Sequence, residues 1–136
     1  MSIASNKALI NRLFSDVLNR KNPSAIHEII AEDYFEQDLL EGQSQGVKGV
    51  EERLQILLNA FPDAKYELLD IVADENKVAA RWKMIGTHKG EYLNIQPTNR
   101  AVVLKGIDIY EIDKGLIISH WNEVNMLGLI NQIRGE

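Results

Sequence analysis

The sequence predicts an α+β fold, with N-terminal helices packed in a strongly curved, mostly antiparallel sheet. Three observations predict it. Apolar residues recur with a period near 3.6 up to Pro62 and near 2 after it. The extended segments that follow are joined by short turns, without helices between them. The 136 residues show no repeat, linker or low-complexity stretch, so residues 1–136 are expected to form a single domain.

The first helix is read from Leu9, Ile10, Leu13, Phe14, Val17 and Leu18, one face of an amphipathic stretch. Ser5 or Asn6 is expected to cap its start. Pro23 and Ser24 open a second, short helix with Ile26, Ile29 and Ile30 inward. A third follows Gly46 and Gly49, carries Val50, Leu54, Leu57, Leu58 and Phe61, and stops at Pro62. Residues 37–40 offer a weak strand.

Lys65 to Ala73 then reads as a strand, Asp74-Glu75-Asn76 as its turn, and Lys77 to Lys89 as a longer strand. Gly90 to Pro97 is a connection. Arg100 to Ile112 and Leu116 to Val124 form a hairpin around Asp113-Lys114-Gly115, where Gly115 supplies a positive φ. Leu127, Leu129, Ile130 and Ile133 mark a C-terminal helix. A curved sheet around helices encloses a cavity, a natural place for a small molecule.

Composition narrows the function classes. Apolar residues make up 45% and charged residues 26%, an ordinary globular balance. The absence of cysteine excludes disulfide scaffolds, cysteine metal sites and thiol catalysis. A net charge of -5 with scattered basic residues is unlike a nucleic-acid binder. No apolar run reaches the roughly 18 residues of a membrane span, and no signal-peptide pattern opens the chain. A cytoplasmic protein without membrane or nucleic-acid partners is expected.

Strand parity ranks the candidate residues. Val78, Ala80, Trp82 and Met84 share one face, and Val102, Leu104, Gly106, Asp108 and Tyr110 share another. An inward Asp108 is either a desolvated proton-transfer group or the partner of a structural donor. Only one of His120 and Trp121 can face the interior. Trp121 is a candidate apolar wall or a plain core residue. His88, in Gly86-Thr87-His88-Lys89-Gly90, either turns into a cavity mouth or caps its strand. The histidine spacing matches no metal motif, and there is no phosphate loop or nucleophile elbow.

Several strings occur together in order: Ala60-Phe61-Pro62-Asp63, Val78-Ala79-Ala80-Arg81-Trp82, Gly86-Thr87-His88-Lys89-Gly90 and Pro97-Thr98-Asn99-Arg100. Gly106-Ile107-Asp108-Ile109, His120-Trp121 and Leu127-Gly128-Leu129-Ile130-Asn131-Gln132 follow. The chain thereby resembles the SnoaL-like polyketide cyclases, or predicted ester cyclases, over nearly its whole length. The resemblance implies the cone-shaped barrel of nuclear transport factor 2 and ketosteroid isomerase. It also implies a cofactor-free intramolecular aldol cyclisation of a polyketide ester.

In that family an aspartate four residues after the last-strand tryptophan is the usual acid/base, and here that position is Asn125. Many relatives carry histidine where this chain has Gln37, near Tyr34. Asparagine has no proton to exchange near neutral pH. The expectation is therefore divided. Either Asp108 is the replacement acid/base, with His88 and Asn125 binding a carbonyl or enolate oxygen, or the chain is a non-catalytic binding or assembly module. Trp82, Trp121, Tyr34, Gln37, Met84 and Tyr110 are the expected ligand-lining residues, with no metal and no cofactor. A homodimer or higher homo-oligomer is expected, with Ile107 and Ile109 as candidate contact residues.

Overall fold

The computed structural model describes residues 2–136. Helix α1 (Ile3–Arg12) runs on through a wider π-helical stretch, Leu13–Asn19. A 3-10 turn, Pro23–Glu28, leads into β1 (Ile30–Glu36). Helix α2 (Val47–Ala60) follows, then β2 (Lys65–Ala73), β3 (Lys77–Thr87), β4 (Ala101–Asp113), β5 (Leu116–Val124) and α3 (Met126–Arg134). The sheet order is β1-β5-β4-β3-β2, antiparallel except for the parallel β1–β5 pair.

The start of α1 differs from the expectation. Ser2 is the N-cap, and Ser2 and Ser5 cap each other's backbone N–H reciprocally. Asn6 is buried instead, and its amide donates to the carbonyls of Asp74 (3.1 Å) and Glu75 (3.0 Å). It ties the helix to the β2–β3 turn. The second helix ends before Ile30, which opens β1. The strand expected at 37–40 therefore lies one segment earlier, at Ile30–Glu36. Ile26, Ile29 and Ile30 are all buried, so apolar spacing alone could not separate helix end from strand start.

Strands β2 to β5 follow the expected segments within about two residues, the usual spread at element ends. Lys114 and Gly115 both take positive φ at the β4–β5 turn (50° and 77°), the geometry that matches the strand twist. Val78, Ala80, Trp82 and Met84 face inward, as do Val102, Leu104, Gly106, Asp108 and Tyr110. Phe14 packs beside Tyr66 and Trp82, which closes the sheet over the α1 side of the core.

Gly106 is paired with Trp82 across β3–β4 and with Val124 across β4–β5. A Cβ there would stand 2.6 Å from Trp82 Cζ2 and 2.8 Å from Val124 Cγ1. Glycine thus lets the indole lie flat along the sheet, where its Nε1 reaches Asp108 at 3.0 Å. Gly106→Ala is expected to force the ring off this path, at a cost of about 1–3 kcal/mol. Urea unfolding reads the cost. Tryptophan emission in a Trp121→Phe background reads the ring's displacement, and unchanged emission would contradict the packing described.

Candidate functional site

The last strand decides what faces inward. In the β4–β5 register, Tyr110 stands opposite His120, and Asp108 opposite Asn122. His120 and Asn122 therefore share the inner face with Asp108, while Trp121 sits opposite half-exposed Ile109 on the outer face. Lys77 Nζ lies 5.3 Å from the Trp121 ring centroid. Trp121 is thus an outer-face residue and does not wall the interior.

Strand β1 supplies the second carboxyl group. Its pairing with β5 is irregular between Ile30 and Phe35, and Tyr34 and Glu36 both end up buried. Gln45 holds the strand end by bonding both the N–H and the carbonyl of Glu36. The register sets Glu36 beside His120. The segment beyond it is fixed too: Asp38 N–H donates to Glu36 Oε2 (3.1 Å), and Asp38 Oδ2 accepts from Asn122 N–H (2.8 Å).

Together these form a buried acid–imidazole–acid chain. His120 Nδ1 is 2.9 Å from Glu36 Oε1, and its Nε2 is 3.5 Å from Asp108 Oδ1. The imidazole stacks on Tyr110, with centroids 5.0 Å apart. Asp108 Oδ2 accepts from Trp82 Nε1 (3.0 Å) and Tyr110 OH (2.8 Å), and Oδ1 accepts from Asn122 Nδ2. Tyr34 OH donates to Glu36 Oε1 at 3.0 Å. Arg53, on α2, donates from Nη2 to Asn122 Oδ1 (2.9 Å), and its Nη1 lies 4.0 Å from Glu36 Oε1.

Titration follows from this geometry. Burial disfavours a charged His120, but hydrogen bonds to Asp108 and Glu36 and their negative charge outweigh it. The pKa rises from 6.5 to about 9. Burial likewise opposes ionised Glu36, and the hydrogen bond and charge of His120, with help from Asp38 N–H and Tyr34 OH, carry it below its usual value. Burial raises Tyr34 and Tyr110, reinforced by Glu36 and Asp108 respectively. Burial pushes the Tyr66 phenol up to about 12. The phenols remain proton donors at neutral pH.

Of the residues singled out in the sequence, Asp108, Trp82, Tyr110 and Tyr34 meet in this cluster. Met84 is a core residue between Tyr66 and Leu104 in the sheet. Asn125 caps α3, its Oδ1 accepting from Gly128 N–H at 3.0 Å, so this amide is committed to a helix end. Gln37 is exposed and donates to Ser119 Oγ at 2.9 Å. His88 is fully buried, and its Nδ1 accepts from Thr98 N–H at 3.2 Å, stapling the loop before β4. None of these three bonds to the cluster.

Sequence reasoning missed Glu36, Arg53 and Asn122 and left His120 unassigned. His120 and Asn122 were recoverable from parity with Asp108. Glu36 and Arg53 arrive from distant segments.

A cleft between the end of the first helix and α2, lined by Val17, Leu54, Leu57, Phe61 and Tyr66, has space of about 10 Å3, that of a single water. Among the described residues, no group of three or more histidine, aspartate or glutamate side chains is placed to hold a metal ion. No helix among them is long and apolar enough to cross a membrane.

A curved α+β sheet folded over helices, with a polar cluster on its inner face, defines the cone-shaped α+β class. The sequence matches the SnoaL-like polyketide cyclase family over residues 8–133, so the chain belongs to that family. It is similar to TsrD from Streptomyces laurentii (25% identity, TM-score 0.89, covering 98% of this chain and 97% of that one). It is also similar to AclR, a proposed hydroxylase from Streptomyces galilaeus (27% identity, TM-score 0.86, covering 99% and 84%). A proposed polyketide cyclase from Acidithiobacillus ferrooxidans is 27% identical, with a TM-score of 0.84 and 99% of each chain covered. No curated protein matches the sequence.

The paired carboxyls give stability a calculable pH dependence. His120 has a folded pKa above its unfolded one, so its contribution is complete below about pH 6.5 and lost as pH rises through about 9. Glu36 has the opposite sign: its contribution is present above its ordinary value of 4.5 and lost as pH falls through the lower folded value. The melting temperature is expected to fall between pH 6.5 and 9, with a shallower fall in Glu36→Gln. Parallel profiles for the two proteins would contradict the coupling.

Proposed function

We propose that this chain is a small-molecule enzyme of the cyclase or isomerase type, working without a cofactor by proton transfer beside a carbonyl. Its carrying observation is the His120 imidazole held between the Glu36 and Asp108 carboxyl groups on the inner sheet face. Asp108 is the proposed acid/base. Trp82 and Tyr110 hold its Oδ2, and Oδ1, bonded by Asn122 and 3.5 Å from the titratable His120 Nε2, is the oxygen assigned to proton exchange.

In an aldol closure, Oδ1 takes a proton from a carbon between two carbonyls. The enolate carbon bonds to a second carbonyl carbon, and the resulting alkoxide takes the proton back. His120, protonated at neutral pH, lies between Asp108 and Glu36 and positions both, and Arg53 supplies the second positive charge beside Glu36. Both ring nitrogens face carboxyl groups, so His120 is a positioning residue here.

A second reading, a binding or assembly module, is favoured by one observation. The group opposite Asp108 is an amide, Asn122.

Proton exchange separates the two readings. Solvent deuterium entering ethyl 2-methylacetoacetate at its acidic carbon is followed by NMR. The enzyme reading expects clear acceleration, reduced about 10²–10⁴-fold in Asp108→Asn. Equal rates for the two proteins would overturn it in favour of the binder.

We also propose a homo-oligomer formed through the outer sheet face, where Ile85, Val103, Ile107 and Ile109 are exposed. Ile107→Glu is expected to shift the mass measured by light scattering to that of a single chain. A wild type already at that mass would refute the oligomer.

A further inference from the structure

Arg53 has donor capacity in reserve. Its Nη2 is bonded to Asn122, but Nη1 is buried with no hydrogen-bond partner, 4.0 Å from Glu36 Oε1. A buried guanidinium N–H without an acceptor is costly and uncommon, so a chain that retains one leaves an acceptor's place open. Arg53 is also well sited. It lies one turn before Leu57 on the face of α2 whose Leu54, Leu57 and Leu58 line the cleft. The Tyr66 hydroxyl, on the opposite wall, has no bonded partner among the described residues, and the Tyr92 hydroxyl has only the weak Met126 sulfur at 4.0 Å. The interior therefore holds unused donors, the Tyr66 hydroxyl on the cleft wall and the fixed cation of Arg53 on the helix that forms the other wall. His120 and Arg53 together balance the two carboxyl groups, so what remains to be met is the hydrogen bond of Arg53 Nη1, not a charge.

We infer that Arg53 is a ligand-binding residue whose Nη1 receives an anionic oxygen, which selects enolisable dicarbonyl compounds in their ionised enol form. This deepens the function proposed above and rests on it for the identity of the anion as a reaction intermediate. Arginine suits the task because it stays charged, and its planar fork keeps Nη2 on Asn122 while Nη1 serves the ligand. Asn122 then acts as the hinge between the two halves of the site, bonded to Asp108 through its nitrogen and to Arg53 through its oxygen. In an aldol closure, the same N–H would face the oxygen on which charge develops when Asp108 removes the proton. Half-buried Leu54, Leu57 and Leu58 are the side chains that must yield to admit a ring.

Binding tests this without turnover. The probes are 2-hydroxy-1,4-naphthoquinone, an ionised enol at neutral pH, and its neutral methyl ether, each titrated calorimetrically. The wild type is expected to prefer the anion at least about tenfold, the scale of a hydrogen bond to a charged group. This comparison needs no variant. Arg53→Met should remove the preference while the ether still binds, and Arg53→Lys, which keeps the charge but not the fork, should fall between. Equal affinity for the two probes in the wild type, or no binding of either, overturns the inference. So does a preference that survives Arg53→Met, or one lost in Lys21→Met instead, since Lys21 is the cation that lines the cleft. The two proposals fail separately. Anion preference without deuterium exchange leaves Arg53 standing and removes the enzyme. Exchange without anion preference does the reverse.

Discussion

An imidazolium held between two carboxyl groups inside a sheet is the constraint on which the rest of this structure depends. Charges out of water are tolerated only when paired and hydrogen-bonded, and breaking a buried pair typically costs about 3–5 kcal/mol. Each strand near His120 meets part of that demand. β1 ends in register with it so that Glu36 can pair, β4 sets Asp108 and Tyr110 beside it, and β5 adds Asn122 one step along. The Gln45 clamp on Glu36 and the Asp38 bond to Asn122 fix the ends of this arrangement. Even Gly106 belongs to it, since the indole that reaches Asp108 must cross the space a side chain would fill.

Neutral and charged donors divide the work. Trp82 and Tyr110 hold one oxygen of Asp108 with groups that keep their protons at neutral pH. The other oxygen faces an amide and an imidazole, both capable of adjusting. The two oxygens of one carboxyl group thus have different partners. The remaining cation, Arg53, comes from a helix whose inward leucines are only half-buried. The sheet thus carries the carboxyl–imidazole chain, and helix α2 carries the remaining cation.

Much of this was legible in the sequence. The change of period at Pro62 separates helices from sheet. Alternation in β3 and β4 placed Asp108, Trp82 and Tyr110 on one face, because residues buried on one side only carry a period of 2. The SnoaL-like resemblance extends over the same chain and agrees with that order. The same parity argument limited the interior to one of His120 and Trp121, and the β4–β5 register chooses His120.

What was not legible depends on contacts between distant segments. The isoleucines at 26, 29 and 30 fit a helix as well as a strand start, which hid β1 and with it Glu36. No local pattern announces a parallel pairing between β1 and β5. Arg53 looks like an ordinary polar member of an amphipathic helix until the sheet is in place. Asn125 shows the opposite error: its position relative to Trp121 suggested the site, but it begins α3 and caps that helix, while the amide facing Asp108 is Asn122.

The most direct test is the protonation state of His120, read from its ring nitrogens by 15N NMR at pH 7.5. If both carboxyl groups hold the imidazolium, both nitrogens carry protons at that pH, and Glu36→Gln returns the ring toward the neutral form. One protonated and one bare nitrogen in the wild type would contradict the account. Asp108 and Glu36 would then not be acting together on His120, and the acid–imidazole–acid chain would lose its central charge.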